Sequence, residues 1–331
     1  MTPIRFVAIG LRIHGEYAIE QFLMTEGTKL VAIAETEHHW RAVSDRFQVP
    51  FYDDYLHLLD EQECDTVIVC LPNYQKADAI IECLKRGKNV ISDKPIAVTE
   101  EDLRRIEDQV AVSQGQFSTL LTERFNPLYM KAKELVDAGK IGQVAGCLMM
   151  RPHEATIQRE EPWMFLKEKN GGLIVDLMIH DIDLARWICQ ADVVEVTARK
   201  IQTNFFADKA NYVDFAQALF VLERDITVHI EADWLTPANT SWDCRMLIVG
   251  SDGTIEVLTK SGEVIYCTHN ENHDVVAVNP PVLDEVCQDF IRRIRGQQHQ
   301  ILSADECIKS ARAVLMARES SETRQTVRSE G

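Results

Sequence analysis

The 331-residue sequence contains no uninterrupted apolar run longer than five residues, far short of the ~20 that a membrane helix requires. It contains no CxxC pair. Its nine cysteines, at 64, 70, 83, 147, 189, 244, 267, 287 and 307, are scattered and odd in number. That pattern excludes a disulfide framework and a clustered zinc site, and it suits small core residues in a reducing compartment. Basic runs are absent too. Lys plus Arg total 35 against 52 for Asp plus Glu, a net charge of −17. A field of that sign repels nucleic acid and anionic membrane surfaces. There is no low-complexity tract and no internal repeat. With 46% hydrophobic and 26% charged residues, the composition is that of a folded globular protein. Residues 1–10 lead straight into a strand-like run with no signal-peptide layout, so a cytoplasmic location is expected.

At roughly 100–200 residues per domain, two domains are expected. The first third alternates apolar runs at Ile4–Ile9, Lys29–Ala34, Thr66–Cys70 and Asn89–Ser92 with helical stretches near Glu16–Met24, Glu37–Phe47, Gln75–Arg86 and Thr99–Ser113. Short apolar strands without alternation are buried on both faces, and interleaved helices make them a parallel βαβ sheet. After about residue 122 the character changes. A helix near Leu128–Ala138 ends at Gly139 and a strand follows at Gln143–Met150. From Val193 to Cys267 the period is two: Ile226, Val228, Ile230, Ala232 and Trp234 face one way, and the polar residues between them the other. Residues 250–253, Gly-Ser-Asp-Gly, mark a turn, and helices near Leu283–Arg295 and Ser303–Ser320 close the chain. The expected domains are 1–122 and 123–331.

Gly10 and Gly15 bracket the turn after the first strand, where a dinucleotide fingerprint G-x-G-x-x-G would stand. Arg12 occupies the place of its second glycine, beside Ile13. A tight strand-to-helix turn accounts for two glycines equally well. Glu35 adds to the case: it ends the second strand 20 residues after Gly15, where an acid binds ribose hydroxyls and repels a 2′-phosphate. Leu71, Pro72 and Asn73 end the third apolar run, and Asp93 and Lys94 the fourth. Ligands of open parallel sheets bind outside these carboxyl ends. In the stretch 171–183, Asp176, His180 and Asp183 fall at i, i+4 and i+7 on one helical face. A histidine one turn from an aspartate can act as a general base near neutrality; a local structural pair is the alternative. The spaced histidines His269 and His273 lie in an Asn-rich turn and are set aside.

In order and spacing, these segments resemble the glucose–fructose oxidoreductase / inositol dehydrogenase / rhizopine catabolism (Gfo/Idh/MocA) family. The resemblance runs from Gly10–Gly15 and Glu35 through Leu71-Pro72-Asn73, the segment 88–95, Arg124-Phe125-Asn126-Pro127 and residues 139–142 to Gly171-Gly172, Asp176, His180, Asp183 and the closing helices. It implies an α/β protein: an N-terminal Rossmann domain with a doubly wound parallel sheet, and a C-terminal α/β domain with an open, mainly antiparallel sheet. One face of that second sheet commonly builds homodimers or homotetramers in the family. The family's Glu-Lys-Pro motif stands here as Asp93-Lys94-Pro95, and its catalytic Lys, Asp and His map onto Lys94, Asp176 and His180. A histidine that often follows the Pro-Asn segment is Lys76 here.

The resemblance implies an NAD(P)-dependent oxidoreductase acting on CH–OH groups of a sugar, inositol or related polyol, with NAD favoured over NADP by Glu35. The expected cofactor site comprises Gly10, Arg12, Ile13, Gly15, Glu35, Leu71, Pro72, Asn73, Asp93 and Lys94, with the Arg12 guanidinium flanking the diphosphate. Arg124, Asn126, His153 and Trp163, whose segments lie between the two expected domains, are candidates for the substrate pocket. Two other classes share the scaffold: a glycosidase that uses NAD transiently, and a redox-silent ligand sensor.

Overall fold

The computed structural model describes residues 3–154, 161–206, 208–209, 211–237, 243–269, 274–277, 285–297 and 301–329. The chain falls into two compact units, Met1–Leu121 with Asp284–Ile308, and Thr122–Leu283 with Lys309–Gly331.

In the first unit, strands β1 (Ile4–Ile9), β2 (Thr28–Ala34), β3 (Phe51–Tyr52), β4 (Thr66–Val69), β5 (Asn89–Ser92) and β6 (Phe117–Thr119) alternate with helices. The helices are α1 (Gly15–Met24), α2 (Arg41–Phe47), α3 (Tyr55–Glu61), α4 (Asn73–Lys85) and α5 (Glu100–Val112). The sheet is parallel, in the order β3-β2-β1-β4-β5-β6. That order makes β1 and β4 the switch point of a doubly wound sheet. Phe6 to Ile9 on β1 and Val67 to Val69 on β4 are fully buried, as strands covered by helices on both faces must be. The four expected strands are present. The very short β3 and β6 carry too few residues for an apolar pattern to register. The stretch expected as one helix from Glu37 instead opens with a 3₁₀ turn at His38–Trp40, and α2 follows it. Gly10 has φ +79°, and a Cβ there would lie 2.5 Å from the Cys70 carbonyl oxygen. Only glycine lets the ends of β1 and β4 meet so closely.

The second unit begins with α6 (Pro127–Asp137), β7 (Val144–Pro152), α7 (Lys167–Asn170) and α8 (Gly172–Cys189). Strands β8 (Val193–Ile201), β9 (Phe215–Leu222), β10 (Thr227–Asp233), β11 (Arg245–Gly250), β12 (Gly253–Leu258), β13 (Glu263–Thr268) and β14 (Asp274–Ala277) follow. The chain then runs through α9 (Glu285–Ile294), α10 (Ala304–Thr323) and β15 (Val327–Arg328). The nine strands form one sheet, β14-β13-β12-β11-β7-β10-β9-β8-β15, mixed only at the parallel β7–β10 pair. The β10 alternation holds: Ile226, Val228, Ile230, Ala232 and Trp234 are buried, and α8 packs across β7, β9 and β10. Each buried Leu, Ile or Val of that layer contributes roughly 1.5–3 kcal/mol.

The sequence reading assigned all of 123–331 to one domain, and α9 departs from it. Val286, Cys287, Phe290 and Ile291 are buried, and α9 packs on α1 and β5. Its amphipathic stripe shows that it must bury one face, but not which unit receives it.

Candidate active site

The carboxyl ends of β1, β2, β4 and β5 gather the expected cofactor residues. The turn after β1 is held by Arg12 N–H donating to the Cys70 carbonyl at 3.0 Å and by Gly15 N–H donating to the Arg12 carbonyl at 3.1 Å. Within it Ile13 has φ +53°, a left-handed conformation that a β-branched residue adopts only under strain. Glu35 is buried at the end of β2. Its carboxylate accepts from Leu11 N–H at 3.1 Å and from Thr36 N–H at 2.8 Å. Arg12, expected to flank the diphosphate, makes its side-chain contacts at the end of β2. Its guanidinium turns to the end of β2, with Nη2 2.7 Å from Glu37 Oε1 and 3.7 Å from Glu35 Oε1, and with Cζ 5.8 Å from the Trp40 ring centroid. Two carboxylates and an indole outcompete the turn for this cation.

Leu71 and Pro72 lead into α4, which starts at Asn73. The Asn73 side chain and the Lys94 carbonyl both accept from the buried Lys76 ammonium, at 2.9 and 3.0 Å. Lys76 therefore braces the turn carrying Lys94, just before the cis Lys94–Pro95 bond. Asp93 is 1% exposed. It lies 2.9 Å from His14 Nδ1 and 3.6 Å from Lys76 Nζ. Burial alone would raise the Asp93 pKa, but Lys76, His14 and Lys94 outweigh it and hold the carboxyl well below the usual range. His14 is the N-cap residue of α1, yet its side chain does not cap the helix. The partner of His14 lies 79 residues away, so no local spacing could have signalled the pair. A helix N-terminus uncapped by its own N-cap side chain, beside an acid at the end of β2, is a donor and acceptor set that fits a dinucleotide.

In the second unit Asp176 and His180 lie one turn apart on α8, and Asp176 is buried. Among the ionisable residues of this helix, Asp176, Asp181, Asp183 and Arg186 are all buried, and His180 alone is only half-buried. Asp183, expected on the same face, is committed elsewhere. Arg124 grips it through Nε and Nη2, each at 2.7 Å. The Ser310 hydroxyl donates to it at 2.7 Å and in turn accepts from Arg186 at 2.7 Å.

Arg124, expected at a substrate pocket, is 0% exposed and gives one edge of its guanidinium, Nε and Nη2, to the buried carboxylate of Asp183. Asn126, expected at the same pocket, stands at a helix start. Its side-chain oxygen accepts from Leu128 N–H at 3.0 Å and caps α6. His153 is half-buried, with its ring centroid 4.9 Å from that of Trp234. Trp163 is buried and donates its indole N–H to Glu161 at 2.6 Å. A second buried pair, Arg151 to Asp181 at 2.6 Å with Glu123 at 3.1 Å, had no sequence signal. Among the described residues, no group of three or more His, Cys, Asp or Glu could hold a metal, and no helix is long and apolar enough to cross a membrane.

Comparison with known proteins agrees with this geometry. Residues 4–119 match the oxidoreductase family with an NAD-binding Rossmann fold, and residues 129–256 match the GFO/IDH/MocA C-terminal domain. The chain is 26% identical over 260 residues to scyllo-inositol 2-dehydrogenase (NAD(+)) of Bacillus subtilis, covering 77% of this chain and 74% of that protein. It is 27% identical over 268 residues to myo-inositol 2-dehydrogenase of Thermotoga maritima, covering 79% and 74%. An Agrobacterium radiobacter oxidoreductase solved with NAD+, L-tartaric acid and magnesium superposes with a TM-score of 0.85 over 99% of this chain and 98% of that one, at 19% identity. Matched to the family over residues 4–119 and 129–256, the chain belongs to the Gfo/Idh/MocA family of NAD-binding oxidoreductases.

Proposed function

We propose that the protein oxidises a secondary hydroxyl of a sugar, inositol or related polyol with NAD, and that Lys94, Asp176 and His180 carry the chemistry contributed by the chain. The observation that carries this reading is the contrast along α8. Its other ionisable groups are buried, whereas His180 is only half-buried one turn from the carboxylate of Asp176. A histidine in that setting can take the hydroxyl proton, and a neighbouring carboxylate favours the imidazolium that results. Lys94, buried at the end of β5, contributes a cation that offsets negative charge developing on the substrate. Bound nicotinamide supplies the redox chemistry by accepting the hydride. Glu35 receives the adenosine ribose, and His153 and Trp163 are the remaining candidates for substrate contacts.

The protein works in this reading as a cytoplasmic homodimer or homotetramer. The support is the outward face of the nine-stranded sheet, where Leu148, Met150, Leu219 and Val249 are 51%, 45%, 45% and 37% exposed. Leu148 stands beside His229 and Leu247 in register, and Leu219 is the next neighbour beyond His229. Contiguous apolar surface of this kind marks an association site.

A screen of inositols, aldoses and their lactones with NAD, read as NADH absorbance, tests the function. Net NADH from at least one polyol, lost in His180→Ala, is the expected result. Bound NAD with no net NADH from any of them would instead favour a transient, non-redox use of the cofactor.

A further inference from the structure

We propose that Arg12, clamped by Glu37, reads the 2′ position of the adenosine ribose and sets the preference between NAD and NADP. The inference rests on the NAD-binding reading and adds a specificity determinant to it. In a dinucleotide fingerprint the second glycine leaves room for the diphosphate and has no side chain with which to address the ribose. Arg12 stands at that position, yet its guanidinium is found at the end of β2, where the ribose acid Glu35 lies. Its side chain is 6% exposed, with Nη2 2.7 Å from Glu37 and 3.7 Å from Glu35. The Trp40 ring lies 5.8 Å from Cζ on another side.

The charges explain the consequence. Arg12 carries one positive charge between two carboxylates, so the local sum is negative and a 2′-phosphate meets repulsion. The guanidinium fork is also the group best matched to phosphate oxygens. Glu37 engages one arm of it, Nη2, at 2.7 Å. Glu35 alone is therefore not the discriminator: its charge is shared with a cation, and the second carboxylate keeps that cation from a phosphate. Glu37 can be changed without touching the buried acid, because its side chain is 46% exposed. Two further groups face this cluster. His39 Nδ1 lies 3.4 Å from Glu37, and His38 Nδ1 lies 3.6 Å from Asp53. All titrations are run at one pH, so these neighbours act alike on every variant.

Calorimetric titration of wild type, Glu37→Gln and the double variant Arg12→Gly/Glu37→Gln with NAD and with NADP tests the inference without reference to turnover. Glu37→Gln is expected to shift the ratio of the two dissociation constants toward NADP by roughly tenfold or more, the scale of one charge-assisted contact to phosphate. The double variant is expected to return the ratio to the wild-type value or beyond it toward NAD. An unchanged ratio in Glu37→Gln, or a gain that survives removal of Arg12, overturns the inference while leaving NAD binding intact. A wild type that binds neither cofactor overturns the cofactor reading itself, and the inference with it.

Discussion

Asp93 and Asp183 are both 1% exposed, both sit beside cations, and their surroundings give them opposite roles. Asp183 is enclosed by Arg124, which is itself 0% exposed, and by the hydroxyl of the buried Ser310. Every partner is interior, so the group can only hold the second unit together. Asp93 is enclosed by Lys76 on one side, but on another it meets His14, whose side chain is 32% exposed. It also directly precedes Lys94. A buried carboxylate with one partner at the surface can pass the state of that surface to the interior; one with only buried partners cannot. Burial depth alone does not distinguish a site from a structural pair; the exposure of the partners does.

The largest effect expected from this contrast is on stability. Arg124→Met leaves Asp183 buried without its cation and is expected to cost about 3–5 kcal/mol in urea unfolding. Arg124→Met combined with Asp183→Leu is expected to recover much of that loss, since an apolar pair can replace a buried ion pair. Wild-type stability in Arg124→Met, with turnover lost, would return Arg124 to the substrate pocket and break the comparison.

Next comes His180. His180 is half-buried, unlike the sealed pairs on the same helix, so its removal is expected to act on chemistry and not on folding. His180→Ala should lower turnover about 10²- to 10⁴-fold, the contribution of a positioned general base. Its urea midpoint should stay close to that of wild type. A variant that instead unfolds as Arg124→Met does would make His180 another structural member of α8.

What could be read in the sequence was what local periodicity and punctuation encode. The four expected apolar runs of the first unit, the alternation around Val228 and Ile230, the turn at 250–253 and the i, i+4 spacing of Asp176 and His180 all depend on residues within a few positions of one another. Asp183 shows the limit. Spacing put it on the face of Asp176 and His180, but its partners came from Arg124 and Ser310, 59 and 127 residues away. Arg124 and Asn126 lie in a segment that resembles a site, and the ion pair and helix cap they form had no signal there. Lys76, His14 and the direction of Arg12 were equally hidden, because ion-pair choice is settled by tertiary proximity. The residue types were in view throughout, and their pairings were not.

The smallest expected effect concerns the pH dependence of Asp93. Its pKa is lowered in the folded protein, and the unfolded reference is about 3.9. The stability it contributes is therefore present in full above that reference and lost as pH falls below it toward the folded value. Other carboxylates add to any acid-induced loss, so the informative quantity is a difference between variants. Lys76 is the principal counter-charge opposing the burial of Asp93. Lys76→Met should lower stability at about pH 6, where the ionised carboxylate is left buried, yet lose less than wild type between about pH 6 and about pH 3. His14→Asn, which removes a partly exposed partner, should change the acid loss in the same direction by a smaller amount. Urea midpoints at the two pH values measure both. Equal acid losses in wild type and Lys76→Met would show that the cation beside Asp93 does not govern its ionisation, and the difference drawn between Asp93 and Asp183 would then lose its electrostatic basis.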